Sequence, residues 1–70
     1  MPDRELCIQL HKIIEEIDKK MVENANEKYE LIKYQPSQRR EEYMQFLSGE
    51  NSGLLYAKAI IAELFPECFR

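Results

Sequence analysis

The first half of the chain carries apolar side chains at helical spacing. They recur in steps of three or four residues, which fits an α-helix and not a strand. Asp3 lies just before the pattern and is a good N-cap. We therefore predict one long helix over about 3–33, weakest at Asn24-Ala25-Asn26, where asparagine is a mediocre helix former. The apolar stripe consists of Leu6, Leu10, Ile13, Ile14, Ile17, Met21, Ala25, Tyr29 and Ile32.

A turn is predicted to separate the two halves of the chain. Pro36 disfavours a helical conformation at Gln35, and Ser37 can cap a helix that follows. Pro66 then stops the second helical segment, which we place at about 37–65. Its apolar residues share a face within each of two runs: Tyr43, Phe46 and Leu47, and then Leu54, Ala57, Ile61, Leu64 and Phe65.

Residues 48–53 leave two architectures open. Turn-forming residues fill five of the six positions of the run SGENSG, which favours a loop. The apolar phase nevertheless continues through this run, and in a continuous helix Gly49, Gly53 and Ala57 would form a small-residue line that lets another helix approach closely. Glu50 would then lie within the apolar arc, where an unpaired carboxylate is expensive to bury. We therefore predict a break or sharp kink at 48–53.

The predicted fold class is all-α, with residues 1–70 forming a single helical domain. The long N-terminal helix is expected to pack antiparallel on the segment 37–65, as a helical hairpin or a three-helix bundle. A chain of 70 residues builds a core worth only about 3–5 kcal/mol. We therefore expect it to dimerise into a four-helix bundle.

Composition and charge indicate a soluble cytoplasmic protein. The chain is 44% apolar and 33% charged, with a net charge of −3. No apolar run approaches the roughly 20 residues of a membrane span, and the first residues lack the apolar stretch of a signal peptide. We therefore expect no membrane partner.

Cys7 and Cys68 lie near opposite ends of the chain and are too few for the disulfide framework of a small secreted domain. We expect thiols in a reducing cytosol. An antiparallel hairpin would bring them together, so that they could cross-link within one chain on oxidation. Cys7 and His11 are four residues apart, and with Cys68 they form a conceivable zinc site. The simpler alternative is a half-buried thiol beside a histidine, so no metal or cofactor is predicted.

A nucleic-acid role is the alternative that the charges allow. The chain would resemble a helix-turn-helix protein in its order of elements, with Arg39-Arg40 in one helix, a turn at 48–53 and a second helix after the turn. The helix after that turn carries one basic residue, Lys58, and one acidic residue, Glu63, which is too little charge to neutralise phosphates. An acidic inhibitor of a nucleic-acid enzyme is a related possibility, weakly supported by a net charge of −3. We do not expect nucleic acid as a partner.

The residues that could perform catalysis are few. The chain has one histidine, no glycine-rich phosphate loop and no nucleophile with a recognisable base beside it. The pairs Glu15-Glu16 and Glu41-Glu42 diverge by about 100° on a helix, so their carboxyl groups do not share a proton. We predict that the protein is not an enzyme.

A surplus of apolar residues gives the functional prediction. Several lie off the main stripes, and clustered apolar residues that a small helical unit cannot cover mark an interface. We expect a protein–protein interaction module, a regulator, inhibitor or accessory factor of the kind that bacteria and phages encode, with a protein partner and a homodimeric state. The predicted interface residues are Ile8, Val22, Met44, Leu55 and Tyr56.

Overall fold

The computed structural model of the protein describes residues 3–70, which form an antiparallel helical hairpin of 54 × 16 × 14 Å. Helix α1 spans Arg4–Ile32 and helix α2 spans Gln38–Leu64, followed by a short 3₁₀-helix over Pro66–Cys68. Residues 3–70 contain no strand. The all-α hairpin is confirmed, and both predicted helix ranges agree with the observed ones to within one residue at each end.

The ends of the helices form where the sequence provides capping groups. The Oδ1 atom of Asp3 accepts hydrogen bonds from the backbone N–H groups of Glu5 and Leu6. At the start of α2, Ser37 Oγ accepts from the Arg40 backbone N–H at 3.0 Å. Each cap satisfies N–H groups that have no partner within the helix. The two caps therefore fix where α1 begins and where the chain re-enters a helix after Pro36.

The two helices meet along a seam with alternating steps of three and four residues. This spacing is the heptad pattern of a coiled coil, in which positions a and d face the neighbouring helix. Every residue of α1 on the seam is at least half-buried, whereas the rest of α1 is exposed. The α1 seam consists of Cys7, Leu10, Ile14, Ile17, Met21, Asn24, Lys28 and Leu31; the α2 seam consists of Arg40, Met44, Leu47, Asn51, Leu54, Lys58 and Ile61.

The seam corrects the predicted α1 stripe at five positions: Leu6 and Ile13 are exposed beside the seam residues Cys7 and Ile14, and three residues of the C-terminal part are exposed as well. Ala25, Tyr29 and Ile32 are exposed, and the seam positions beside them are Asn24, Lys28 and Leu31. Choosing residues by hydrophobicity alone moved the predicted stripe one position outward. The seven-residue repeat keeps the polar side chains inside instead, because helix packing follows the spacing of the whole seam.

The predicted break at 48–53 is wrong, since α2 runs without interruption from Gln38 to Leu64. The prediction assumed an unpaired Glu50 carboxylate in the apolar arc. In the structure, Asn24 donates a hydrogen bond to Glu50 Oε1 at 3.0 Å, and Lys20 Nζ lies 3.8 Å from the same atom. A partnered carboxylate removes the main cost of continuing the helix.

The two glycines of α2 have no packing role within the hairpin. Neither has a positive φ, and a Cβ atom built on Gly49 or Gly53 meets nothing within 4 Å. Each glycine costs a helix about 1 kcal/mol relative to alanine. Packing against α1 therefore does not explain why helix α2 contains two destabilising glycines.

Candidate functional site

A polar cluster occupies the middle of the hairpin seam. Asn24 is only 1% exposed, and its Nδ2 group donates to Glu50 Oε1 and to Asn51 Oδ1 at 2.9 Å. Asn51 in turn donates from Nδ2 to the Met21 backbone oxygen at 3.1 Å. Among the described residues, no buried side-chain nitrogen or oxygen lacks a partner. All buried polar side-chain atoms of the cluster are therefore hydrogen-bonded, and these bonds fix the position of α1 relative to α2.

One turn further along α1, Lys28 completes the polar part of the seam. Its Nζ group donates to Ser48 Oγ at 2.6 Å, which ties a cation of α1 to a hydroxyl of α2. This cluster was not predicted from the sequence, because residues 24–26 have the composition of a weak helical stretch and residues 48–53 that of a turn. The available signal was the strict three–four spacing that Asn24 and Lys28 share with the apolar seam residues.

The chain ends meet, as the predicted hairpin requires. Cys7 and Cys68 form a disulfide with a Cα–Cα distance of 5.1 Å, so the expectation of two thiols is corrected. His11 Nε2 donates to the Cys68 carbonyl oxygen at 2.7 Å, and its ring lies 4.9 Å from the ring of Phe69. The three candidate zinc ligands are thus close together, but the bonded sulfurs are not available as thiolates. Residues 3–70 contain no cluster suited to a metal ion.

Most of the large apolar side chains lie outside the seam. Of the apolar residues described, only Leu10 and Leu47 are buried, at 7% and 2% exposure. Thirteen large ones are exposed. They are Leu6, Ile8, Ile13, Val22, Tyr29, Ile32, Tyr34, Tyr43, Phe46, Leu55, Tyr56, Ile60 and Leu64. A hairpin of two helices buries one stripe of each, which leaves these side chains in contact with water.

The first uncovered surface lies on the flank of the hairpin where Lys20 meets Glu50 and Glu27 meets Tyr43. On this flank a second set of α2 residues repeats with steps of three and four, beside the seam. All of them are exposed except Glu50 and Ala57, which are half-buried. We call this set the α2 stripe; it consists of Tyr43, Phe46, Glu50, Gly53, Ala57, Ile60 and Leu64.

The second uncovered surface lies on the opposite flank, where Lys58 pairs with Asp18. Leu55 follows Glu50 by five residues, which places it about 140° further around α2. On α1, positions 8, 15, 22 and 29 recur every seven residues and therefore share one side of the helix; Ile8, Val22 and Tyr29 occupy three of them, and the charged Glu15 occupies the fourth. We call this set the Val22 face; it consists of Ile8, Val22, Tyr29 and Ile32 of α1 and Leu55 of α2.

Three of the five predicted interface residues lie on one of these surfaces. Ile8, Val22 and Leu55 belong to the Val22 face, and Tyr56 is 70% exposed beside the α2 stripe. Met44 is half-buried in the seam, where it contributes to packing against α1 instead of the outer surface. Sequence reasoning missed Phe46, Ile60 and Leu64 as outward-facing residues, because their spacing is as regular as that of the seam.

The Tyr43–Glu27 pair joins the two helices at the edge of the α2 stripe. The Tyr43 hydroxyl donates a hydrogen bond to Glu27 Oε1. This bond to the carboxylate raises the pKa of Tyr43 above its ordinary value of 10.0, and the negative charge of Glu50 acts in the same direction. The pair thus keeps the ring in its neutral form at the surface.

Two of the three basic residues of the nucleic-acid alternative, Arg40 and Lys58, have partners within the chain. Arg40 donates to the Tyr34 carbonyl oxygen at 2.8 Å and pairs with Glu41. Lys58 pairs with Asp18. Because residues 48–53 are helical, the described chain contains no turn that would make residues 54–65 a separate recognition helix.

The described surface has two shallow grooves of about 370 Å³ each. One lies beside Ile13 and Leu54 and the other beside the turn, at Tyr34 and Arg39. Neither groove is lined by a histidine or a cysteine. In residues 3–70, no helix combines the length and apolar character needed to cross a membrane.

Comparison with known proteins assigns no relative to the chain: no family model, no curated protein and no solved structure matches it. Function therefore has to be inferred from the surface of the hairpin.

Proposed function

We propose that this protein is a non-enzymatic protein–protein interaction module that acts through its uncovered apolar helix faces. The observation that carries the proposal is the contrast between two buried apolar side chains and thirteen large exposed ones. Scattered exposed apolar residues are ordinary, but contiguous sets along a helix are typical of interaction sites. The module would serve as a small regulator, inhibitor or accessory factor, and self-association is the simplest form of the activity.

The Val22 face supports recognition of a different protein. Val22 and Leu55 are 58% and 57% exposed, with Ile32 at 59%. Helices that present apolar anchors about two turns apart commonly bind a groove or another helix. Glu15 lies on this face between Ile8 and Val22, and its negative charge would favour a partner with a basic rim around an apolar centre.

The experiment is affinity capture with the full 70-residue chain, followed by mass spectrometry and a direct binding measurement on the captured protein. Val22→Arg should weaken binding to that protein by at least about 30-fold, as for an interface hot spot. Gln9→Arg is the control, because it adds the same side chain and the same single positive charge at an exposed position of α1 about 140° around the helix from Val22. Equal binding by wild type and Val22→Arg, or salt-sensitive binding to DNA in place of protein, would contradict the proposal.

We also propose a cytoplasmic location. The Cys7–Cys68 bond is the observation against this location and provides the test, because disulfides rarely persist in a reducing cytosol. Alkylation of intact producing cells before lysis should modify both cysteines if the protein is cytoplasmic. Two unmodified cysteines that become reactive only after reduction would place the protein in an oxidising compartment.

A further inference from the structure

The central part of α2, from Phe46 to Ile60, reads nearly the same in both directions from Gly53; further out, the stripe residues Tyr43 and Leu64 mirror Glu63 and Glu42. Large apolar side chains lie seven residues before and after it, at Phe46 and Ile60. Small residues lie four before and after it, at Gly49 and Ala57. An antiparallel copy of α2 centred on Gly53 would therefore place Phe46 level with Ile60 and Gly49 level with Ala57. This self-complementary order is what a two-fold symmetric contact requires.

Gly53 has no role inside a single hairpin. It adopts ordinary helical backbone angles, and nothing lies within 4 Å of a Cβ atom built on it. Glycine weakens a helix but lets another helix backbone approach closely. Since α1 does not approach Gly53, close contact with a helix from outside the hairpin would explain why a glycine occupies this position.

The elongated hairpin exposes enough area to supply a dimer interface. The described surface measures 5716 Å². A compact folded protein of 8.4 kDa exposes about 4,600 Å², so the hairpin exposes about 1,100 Å² more than its mass predicts. A standard interface covers about 800 Å² on each partner. One contact with a second copy is therefore large enough to remove most of the excess.

We propose that the α2 stripe binds the α2 stripe of a second copy, antiparallel and crossing at Gly53, to form a symmetric dimer. The inference rests on the proposed function and identifies one of its partners. A parallel pair would place the two Glu50 carboxylates side by side. The antiparallel pair instead places Glu50 level with Tyr56 of the second copy, while Lys20 and Asn24 of its own chain continue to hold it.

The dimer leaves the Val22 face uncovered. That face lies on the opposite flank of the hairpin, so a second protein could bind there without competing for the α2 stripe. The two surfaces can therefore be tested separately with variants on different sides of the molecule.

The test is sedimentation equilibrium on the full chain with the disulfide intact, across a concentration series. The wild type should fit a monomer–dimer equilibrium. Gly53→Arg should raise the dimer dissociation constant by at least about 30-fold, because it places bulk and two like charges at the crossing point. Ser52→Arg is the matched control: it adds the same side chain one residue away, about 100° around the helix, and should leave the constant within about threefold of the wild-type value.

A fold control separates loss of the interface from loss of structure. Arginine is a better helix former than glycine and meets no neighbour at position 53, so Gly53→Arg should melt at a higher temperature than the wild type when both are dilute and monomeric.

Three outcomes would contradict the proposal or part of it. A wild type that is still monomeric at about 100 µM, a concentration at which even a weak dimer forms, overturns the dimer. Loss of the dimer in Ser52→Arg but not in Gly53→Arg overturns the assigned face. If the wild-type chain is monomeric but still captures a protein through Val22, only the dimer is contradicted. If it is monomeric and captures no protein, the proposed function is contradicted as well.

Discussion

Asn24 of α1 donates a hydrogen bond to Glu50 of α2 over 3.0 Å, within the seam of the hairpin. Asn24 is the most buried polar residue described, and Glu50 is the carboxylate that a continuous α2 would otherwise leave unpaired. A shift of the helices by one heptad would separate the two groups and leave a polar residue of each helix without its partner. A single polar seam position fixes register in coiled coils in this way.

Removing the Asn24 amide should destabilise the hairpin. Asn24→Ala leaves the half-buried Glu50 and Asn51 without their donor, at a cost of about 1–3 kcal/mol in the free energy of unfolding. Asn26→Ala makes the same change at an exposed position of α1 and should be neutral or slightly stabilising, because alanine is the better helix former. Urea unfolding followed by circular dichroism at one protein concentration compares them. Equal effects of the two substitutions would show that the buried amide has no special role.

The small core makes Leu47 unusually important. Leu47→Ala should lower the free energy of unfolding by about 3 kcal/mol, since the side chain is 2% exposed and its loss leaves a cavity. Leu55→Ala removes the same atoms from the same helix at a position that is 57% exposed, and should cost well under about 1 kcal/mol in the isolated chain. Thermal and urea unfolding give both values. The prediction fails if Leu55→Ala costs as much as Leu47→Ala.

Reduction of the disulfide should weaken the fold strongly. The bond joins residues 61 apart in sequence, and in the chain-entropy description such a loop is worth about 4 kcal/mol. Unfolding in urea should therefore move to a lower concentration when reductant is added. The double variant Cys7→Ser, Cys68→Ser should match the reduced protein and show no response to reductant. A wild type whose unfolding midpoint is insensitive to reduction would mean that the seam alone holds the hairpin.

Tyr43 should titrate at higher pH than an ordinary tyrosine. Its hydroxyl donates to Glu27, which favours the protonated phenol and raises the pKa above 10.0. Because the folded-state pKa is the higher one, the stability from this bond is complete below pH 10 and is lost as the pH rises through the folded-state pKa. The phenolate absorbance of wild type minus Tyr43→Phe isolates the group. In a Glu27→Gln background the difference curve should shift to lower pH; an unchanged curve would exclude the bond as the cause.

The helix boundaries could be predicted because local chemistry sets them. Asp3, Ser37 and Pro66 act within a few residues of their own positions, and the structure uses each as expected. The antiparallel hairpin and the meeting of Cys7 and Cys68 followed from the length of the two segments. These features need no knowledge of which side chains touch.

The continuity of α2 could not be predicted from local chemistry. Whether residues 48–53 continue the helix depends on Asn24, which lies 26 residues away from Glu50 in sequence and supplies the missing donor. The choice between two regular apolar stripes on α2 has the same origin. Leu47 and Phe46 are neighbours of similar hydrophobicity, and only the register against α1 decides that one is 2% and the other 60% exposed.

Cross-linking at the proposed crossing point tests the central claim most directly. A cysteine introduced by Gly53→Cys would lie beside its own copy on the two-fold axis, within the Cα–Cα distances of about 4.4–6.8 Å that a disulfide spans. Mild oxidation of the otherwise intact chain should then give a covalent dimer of twice 8.4 kDa, whereas Ser52→Cys should give little at the same concentration. Peptide mapping must find the new bond joining position 53 to position 53, with Cys7 and Cys68 still paired within each chain. Equal dimer yields from the two variants, or no dimer from Gly53→Cys, would contradict the symmetric α2 contact.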